Sequence, residues 1–449
     1  MKHMQHFSRI PKYPHDIMQH TLKALVFITF LLPITLVHGQ RSTTSSPYSR
    51  FGLGEIRGDQ LPQTRAMGGI ATGVRYLSGY GNINVGNPAS YSALALTTVD
   101  VGVFGNITQL SRNQLSENSY NFSLGHINFG IPLGRPGGLS FGIMPFSDVG
   151  FSYAIPGSID TVDIRTVYAG AGGATKAYLG YGIQLNKNFS VGANVSYLFG
   201  TLNNIRSVEL PNDVGGLNVR IDSSQYINGF SFDYGAQYFQ PLGNSVNLTV
   251  GYTGTAGTPL NTTASRVVTR TPTSVEDDFE NLPVDSIGPP YEGRKQSVSM
   301  PMKHSVGFSI AKGNHWMVGG DFNYAKWSDF RIGEDNPNLT DSYGFAVGGQ
   351  ITPDITSVNY LGVVDYRLGF KYNKSHINIA DQNIKQMALT VGFGFPLPSL
   401  FGGSFYKINF ATEFGQTGAL TDRLVRERYI NFHLGFTLNE RWFQRRRYD

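Results

Sequence analysis

The chain has 449 residues, 54 of them glycine and none cysteine, with 13% aromatic and only 15% charged residues. Soluble domains carry roughly 25% charged residues, so this profile argues against an ordinary cytosolic enzyme. Without cysteine there are no disulfide frameworks, thiolate zinc sites, iron–sulfur clusters or cysteine nucleophiles. Beyond position 40 no apolar run reaches the roughly 18 residues of a spanning helix, which excludes a polytopic helical protein.

Residues 1–39 read as a secretory signal peptide: Lys23 precedes an apolar run from Ala24 to Val37, and the small Gly39 stands where a signal peptidase would cut. The basic stretch before the run is long, which leaves Met1 or Met18 as the start. Removing the leader takes Lys2, Arg9, Lys12, Lys23 and one acid, Asp16, from the 36 basic and 31 acidic residues, leaving 32 and 30 and a net charge of +2. The sequence pI of about 9.1 therefore overstates the basicity of the mature chain. No basic face interleaved with aromatic residues remains, so nucleic acid is not an expected partner.

Residues 40–96 show no alternation. They are rich in glycine and small residues, with scattered arginines and the aliphatic Ile56, Leu61, Met67, Ile70, Val74 and Leu77. A disordered periplasmic tail is the bland reading, but such tails usually lack these aliphatics.

From residue 97 to 449 the dominant period is two. In the last segment Ile430, Phe432, Leu434, Phe436 and Leu438 alternate with Asn431, His433, Gly435, Thr437 and Asn439, a strand with one dry and one wet face. Similar cores fall near residues 98–109, 119–133, 138–155, 174–185, 189–200, 226–240, 245–257, 303–311, 315–327, 342–352, 363–374, 384–397, 404–415 and 427–439. They are longer than the five or six residues usual in soluble sheets and carry aromatic residues near the ends of their apolar faces, which favours lipid outside over a soluble sandwich. The expected fold is all-β: a transmembrane antiparallel β-barrel of about fourteen strands, with an even strand number as in single-chain bacterial barrels.

Connections after the second, fourth, sixth and eighth segments are short, whereas those between are mostly longer and more polar, including the stretch from Pro259 to Gln296. Short periplasmic turns, long external loops and both termini in the periplasm follow. The cluster Arg445, Arg446 and Arg447 after Trp442 and Phe443 suits anchoring at lipid headgroups. A barrel of this width is not filled by its own side chains, so residues 40–96 are the natural plug.

With that strand count, the runs Arg65-Ala66-Met67-Gly68-Gly69 and Asn87-Pro88-Ala89-Ser90 make the chain resemble the FadL-type outer-membrane transporters of long-chain fatty acids and other hydrophobic compounds. The resemblance implies that the segment carrying Arg65, Met67, Gly68, Gly69, Asn87, Pro88 and Ala89 folds into the lumen as a hatch. It also implies that ligand leaves sideways through an inward kink of the third strand. There Pro145, flanked by Gly142 and Gly150, interrupts a strand-like run and cannot donate to the ladder. An ordinary bulge near the rim is the alternative for this proline.

Lumen-facing Arg367, Lys371 and Lys407 are candidate contacts for a ligand carboxylate above apolar walls, while the nearby Asp365 and Glu413 suit internal ion pairs instead. Arg65 and Arg75 are further candidates to pair with internal carboxylates. The five mature histidines, His126, His304, His315, His376 and His433, are dispersed, and no metal site, cofactor or catalytic constellation emerges. The leading functional reading is a passive channel in the outer membrane of a Gram-negative bacterium, taking hydrophobic small molecules into an apolar cavity and releasing them when the hatch shifts. The alternative is an accessory or scaffold barrel of a protein secretion system, similar to the FadL-like shuttle of type IX secretion. Expected partners are outer-membrane lipid and lipopolysaccharide, a hydrophobic ligand and, at the external loops, other proteins.

Overall fold

The alternating segments become the strands of a closed barrel wall. The computed structural model describes residues 44–77, 82–112, 114–134, 137–210, 216–271, 284–288, 291–334, 336–379, 381–398, 404–420 and 424–441, all within the unit Ser42–Asp449. The expected leader and the arginine cluster at 445–447 lie outside these residues. A short strand β1 (Glu55–Ile56) belongs to the N-terminal segment, and the wall begins with β2 (Thr97–Arg112), β3 (Leu115–Pro132), β4 (Gly137–Ile159), β5 (Val162–Gln184), β6 (Phe189–Glu209), β7 (Asn218–Gly243) and β8 (Val246–Thr255). Then come β9 (Pro259–Thr271), β10 (Asp285–Ser286), β11 (Tyr291–Ser299), β12 (Lys303–Lys312), β13 (Trp316–Ala325) and β14 (Arg331–Ile332). The wall ends with β15 (Ser342–Ile351), β16 (Asp365–Ile379), β17 (Gln382–Leu397), β18 (Phe405–Thr417) and β19 (Arg426–Glu440).

The ring is a 14-strand antiparallel barrel built from β2 to β8, β12, β13 and β15 to β19. It closes where β19 pairs with β2, Glu440 opposite Thr97. Its faces are inverted relative to a soluble sheet: Val306, Phe308, Val318 and Phe322 are exposed on β12 and β13 while Ser309 is buried. Apolar side chains outside and polar ones inside suit a wall that meets hydrocarbon, and closure leaves few ladder groups unpaired in lipid.

Three expectations need correction. The polar stretch from Pro259 to Gln296 was expected as a long external loop, but β9 and β11 pair with each other there and β9 pairs with the upper half of β7, so they extend the wall. The strand expected to run to residue 327 ends at Ala325, and Trp327 turns inward to be 3% exposed beside the fully buried Phe330. Thr97 and Glu440 lie together at the short-turn mouth, but Ser45 and Ser46 bond to Ser119 and Glu427 near the other, long-loop mouth. The start of the described chain and its end therefore face opposite mouths.

The wall is uneven in height. Strands β4, β5, β6 and β7 have 23, 23, 21 and 26 residues, whereas β8, β12, β13 and β15 have 10 each. Inside the taller half, Leu53, Val149, Leu202, Ile227, Trp327 and Phe330 form part of an apolar core that fills the lumen toward the long-loop mouth.

Candidate functional site: the lumen and its side opening

The N-terminal segment descends through the lumen, held by backbone contacts to the wall. A one-turn helix α1 (Pro62–Arg65) starts at a proline, whose missing N–H is no loss at that position. Gly68 and Gly69 follow with φ of 75° and 87°, a left-handed conformation that glycine adopts at no cost. Thr390 on β17 bridges this turn, accepting from Gly68 N at 2.8 Å and donating to Ala66 O at 3.0 Å. Met67 is fully buried. One turn later the Asp321 carboxylate accepts from the N–H groups of Ala71 and Thr72 at 2.7 and 2.8 Å.

The Asn-Pro-Ala run has a local mechanism. Asn87 caps the 3-10 turn Pro88–Ala93 by accepting from Ala89 N, while its amide donates to Thr72 O at 2.7 Å and so ties two parts of the segment together. Pro88 opens that turn and Ala89 is fully buried. Glycines of the wall make room for these backbones. A Cβ added at Gly348 would lie 2.3 Å from Met67 O, at Gly369 2.1 Å from Gly68 N, at Gly251 1.9 Å from Thr72 O, and at Gly192 2.4 Å from Pro88 C.

One side of the wall is incompletely paired. Strands β3 and β4 pair only from Pro132–Gly138 to Ile127–Ile143, although β3 is paired with β2, and β4 with β5, along nearly their whole lengths. The pairing stops two residues before Pro145. Immediately after Pro145 the register with β5 shifts, leaving Phe146 as an extra residue that is 8% exposed and packed in the apolar core. Gly142 is the last paired position but one, where a Cβ would meet Ile127 O at 2.5 Å. Beyond the bulge, β1 occupies the open edge of β4, with Ile56 opposite Ser147 and Glu55 opposite Asp148. Arg57 forms an ion pair with Asp148, and Ser49 Oγ accepts from Gly150 N at 3.0 Å.

A small cavity of about 30 Å3 lies at this break, bordered by Leu124, Gly125, His126, Met144 and Pro145. Arg57, Gly58, Gln60, Arg65 and Phe104 border both this cavity and the main lumen cavity of about 380 Å3, so a single layer of residues from the N-terminal segment and β2 lies between or along the two.

Solved structures share this architecture. A FadL homologue of Pseudomonas aeruginosa is 10% identical with a TM-score of 0.56, covering 87% of this chain and 100% of its own. The Ralstonia pickettii toluene transporter TbuX is 17% identical with a TM-score of 0.55 over 85% of this chain and 99% of its own. The P. putida toluene transporter TodX is 16% identical with a TM-score of 0.55 over 88% and 100%. Identity this low establishes the FadL-type barrel fold. A family model described as BamG matches residues 21–449. The chain belongs to the BamG family. No curated protein matches it in sequence.

The main cavity of this BamG-family barrel is bordered by charged side chains as well as apolar ones, not by the apolar walls expected. Lys176 bridges Asp59 and Asp233 at 3.1 and 2.9 Å, and Lys371 pairs with Glu413 at 2.7 Å. Lys371 therefore borders the main cavity but is already neutralised. Arg367 and Lys407 do not border it. Both hold Asp365 at 2.8 Å, and Arg367 also donates to Gln350 and Asn409, so these two candidates are parts of a buried brace.

Nor, among the described residues, do Arg65 and Arg75 pair with carboxylates as anticipated. Arg65 donates to Gln60 O and Gly58 O, and Arg75 to Ser190, Gln237 and Ser92 while lying 4.2 Å from the Phe239 ring centroid. Burial pulls both guanidinium groups below their ordinary pKa, with nearby Glu413 opposing the effect at Arg65. Lys303 was not anticipated: it borders the cavity 5.6 Å from the Phe146 ring, with no ion pair among the described residues. Its position at the very start of β12 carries no local motif. Among the described residues no group of three His, Asp or Glu side chains is placed to hold a metal ion.

Proposed function

We propose that this protein is an outer-membrane channel for the passive uptake of hydrophobic small molecules, with residues 44–96 as the hatch and the break between β3 and β4 as a lateral exit. The observation that carries this reading is the end of β3–β4 pairing at Ile127 and Ile143, beside a small cavity at Leu124 and Pro145 that shares five bordering residues with the main cavity. The toluene transporters TbuX and TodX, which share the fold, support it. A charged interior that opens onto a wall facing lipid favours compounds with a polar or acidic group on an apolar body, fatty-acid-like compounds among them. Lys303 and Arg65 are the cations best placed to meet such a group. Moving the hatch away from β4 gives up the two paired positions of β1, the Arg57–Asp148 ion pair, the Arg57 N–H bond to Phe146 O, the bonds between Ser49 and Gly150 and that from Arg50 to Tyr153. Comparing accumulation of labelled aromatic and long-chain acids in null and complemented cells tests the proposal, which fails when both strains accumulate them equally.

A second reading, an accessory barrel of a secretion or assembly apparatus, draws on the one-sided height of the wall. Strands β4 to β7 with β9 and β11 present a broad sheet above the band of the shorter strands, suited to a protein partner. Cross-linking followed by purification of the solubilised barrel tests it, and recovery of the barrel alone rejects it.

A further inference from the structure

The tall side of the wall carries another pocket, away from the lateral path. Strand register places Val149, Gly172 and Leu202 in one row across the lumen-facing side, at the apolar core. The next row toward the long-loop mouth is Phe151, Gly170, Asn204, Ser223 and Arg266, and the one after it is Tyr153, Tyr168, Arg206 and Ile221. These two rows border a cavity of about 340 Å3, joined by Arg50 from the N-terminal segment.

The chemistry of this cavity is one-sided. Arg50, Arg206 and Arg266 border it, and among the described residues no acidic side chain does. Arg50 donates to the Tyr153 hydroxyl and Arg206 lies 5.6 Å from the Tyr168 ring centroid, yet neither these nor Arg266 forms an ion pair among the described residues. Two acids on neighbouring described positions are committed elsewhere: Asp285 to Arg270, and Asp222 to Arg220 on the alternate face of β7. Three guanidinium groups around one pocket repel each other unless an anion joins them, and their planar forks suit carboxylate or phosphate oxygens.

The remaining surface describes the body of that anion. The Tyr153 and Tyr168 rings stack on each other at 5.3 Å and an interplanar angle of 19°, with Arg50 5.7 Å from the Tyr153 centroid, and form an aromatic wall, while Asn204 and Ser223 offer hydrogen-bonding groups beside it. The apolar rows beneath are filled by Leu53, Phe330 and their neighbours, so the pocket does not continue into that core. We propose that this pocket binds an acidic saccharide, its carboxylates or phosphates held by Arg206, Arg266 and Arg50 and a sugar ring laid against the tyrosines. The saccharide is either the head of a glycolipid in the same membrane or a free oligosaccharide.

Calorimetric titration of the full-length barrel in nanodiscs tests this, using trigalacturonate, neutral maltotriose, and lipopolysaccharide before and after phosphatase treatment. The expected result is binding of an anionic probe but not maltotriose, weakening with salt, and loss of about tenfold or more in affinity in Arg206→Gln and in Arg266→Gln, partly restored in Arg206→Lys. Binding of trigalacturonate alone assigns the free saccharide. Phosphatase-sensitive binding of lipopolysaccharide alone assigns the glycolipid. Binding of neither anionic probe, equal binding of maltotriose, or unchanged affinity in both glutamine variants overturns the proposal, with heat-modifiable gel mobility confirming that each variant is assembled.

Discussion

Ile127 of β3 and Ile143 of β4 are the last residues at which these neighbouring strands pair, and Pro145 follows two positions later. Proline removes a ladder donor and the bulge at Phe146 turns β4 out of line with β3, so the break has a cause in the covalent structure of the chain. Pro145→Val returns the N–H. It is expected to extend the β3–β4 pairing and to lower uptake of a hydrophobic probe by about tenfold. Normal uptake in a variant that assembles normally would reject this strand as the exit.

Gly348 faces Met67 so closely that a side chain there must push the N-terminal segment aside. The three nearest atoms, Met67 O, C and Cα, are all backbone, so none yields by a rotamer change. Gly348→Val is expected to cost about 1–3 kcal/mol or more, lower the temperature at which the folded band is lost on gels, and admit bulky hydrophilic antibiotics that the parent excludes. The control is Gly105→Ala, whose Cβ would lie no nearer than 3.8 Å to its neighbours; it should change neither property.

Asp365 holds two cations, Arg367 and Lys407, at 2.8 Å each. Asp365→Asn leaves both without their anion, and a loss of about 3–5 kcal/mol is expected from breaking such a buried group. Calorimetry of the purified barrel should show the drop in melting temperature, while affinity for an acidic ligand stays as in the parent. Lys303→Gln should behave oppositely, with the melting temperature held and uptake of acidic compounds reduced. A common effect of the two substitutions on ligand affinity would contradict this division between brace and ligand contact.

Trp327 stacks on His376 with ring centroids 4.0 Å apart and packs against Phe330 at 5.6 Å, within the core that closes the long-loop mouth. Trp327→Ala is expected to destabilise the barrel by about 3–5 kcal/mol through the cavity it leaves. In planar bilayers the variant should show higher conductance than the parent, and equal conductance would mean that this core does not limit passage.

The wall was legible in the sequence because lipid demands an apolar residue at every second position, and the segments from residue 98 to 439 obey that demand. Above the lipid the demand lapses. In β9 the run Asn261, Thr262, Thr263, Ala264 and Ser265 is polar or small on both faces, so nothing distinguishes it from a loop until β7 and β11 are seen to pair with it. The brace was half legible: Asp365 and Arg367, two apart on one strand, share a face. Lys303, Phe146 and Arg65 come from distant parts of the chain and meet only in the lumen, and the saccharide pocket gathers residues from five strands, so no spacing announces either.

The pairing of Glu440 with Thr97 has a consequence for biogenesis. The ring cannot shut until the last strand of the chain arrives, whereas the residues it encloses are translated before the first. A sheet that grows strand by strand is an open trough until that last pairing, so the enclosed parts of residues 44–77 and 82–96 have a wide side entrance before closure and none after it. The close approaches of Thr72 to Gly251 and of Met67 to Gly348 then tie the curvature of the finished ring to the segment inside it, so that wall and filling share one set of dimensions.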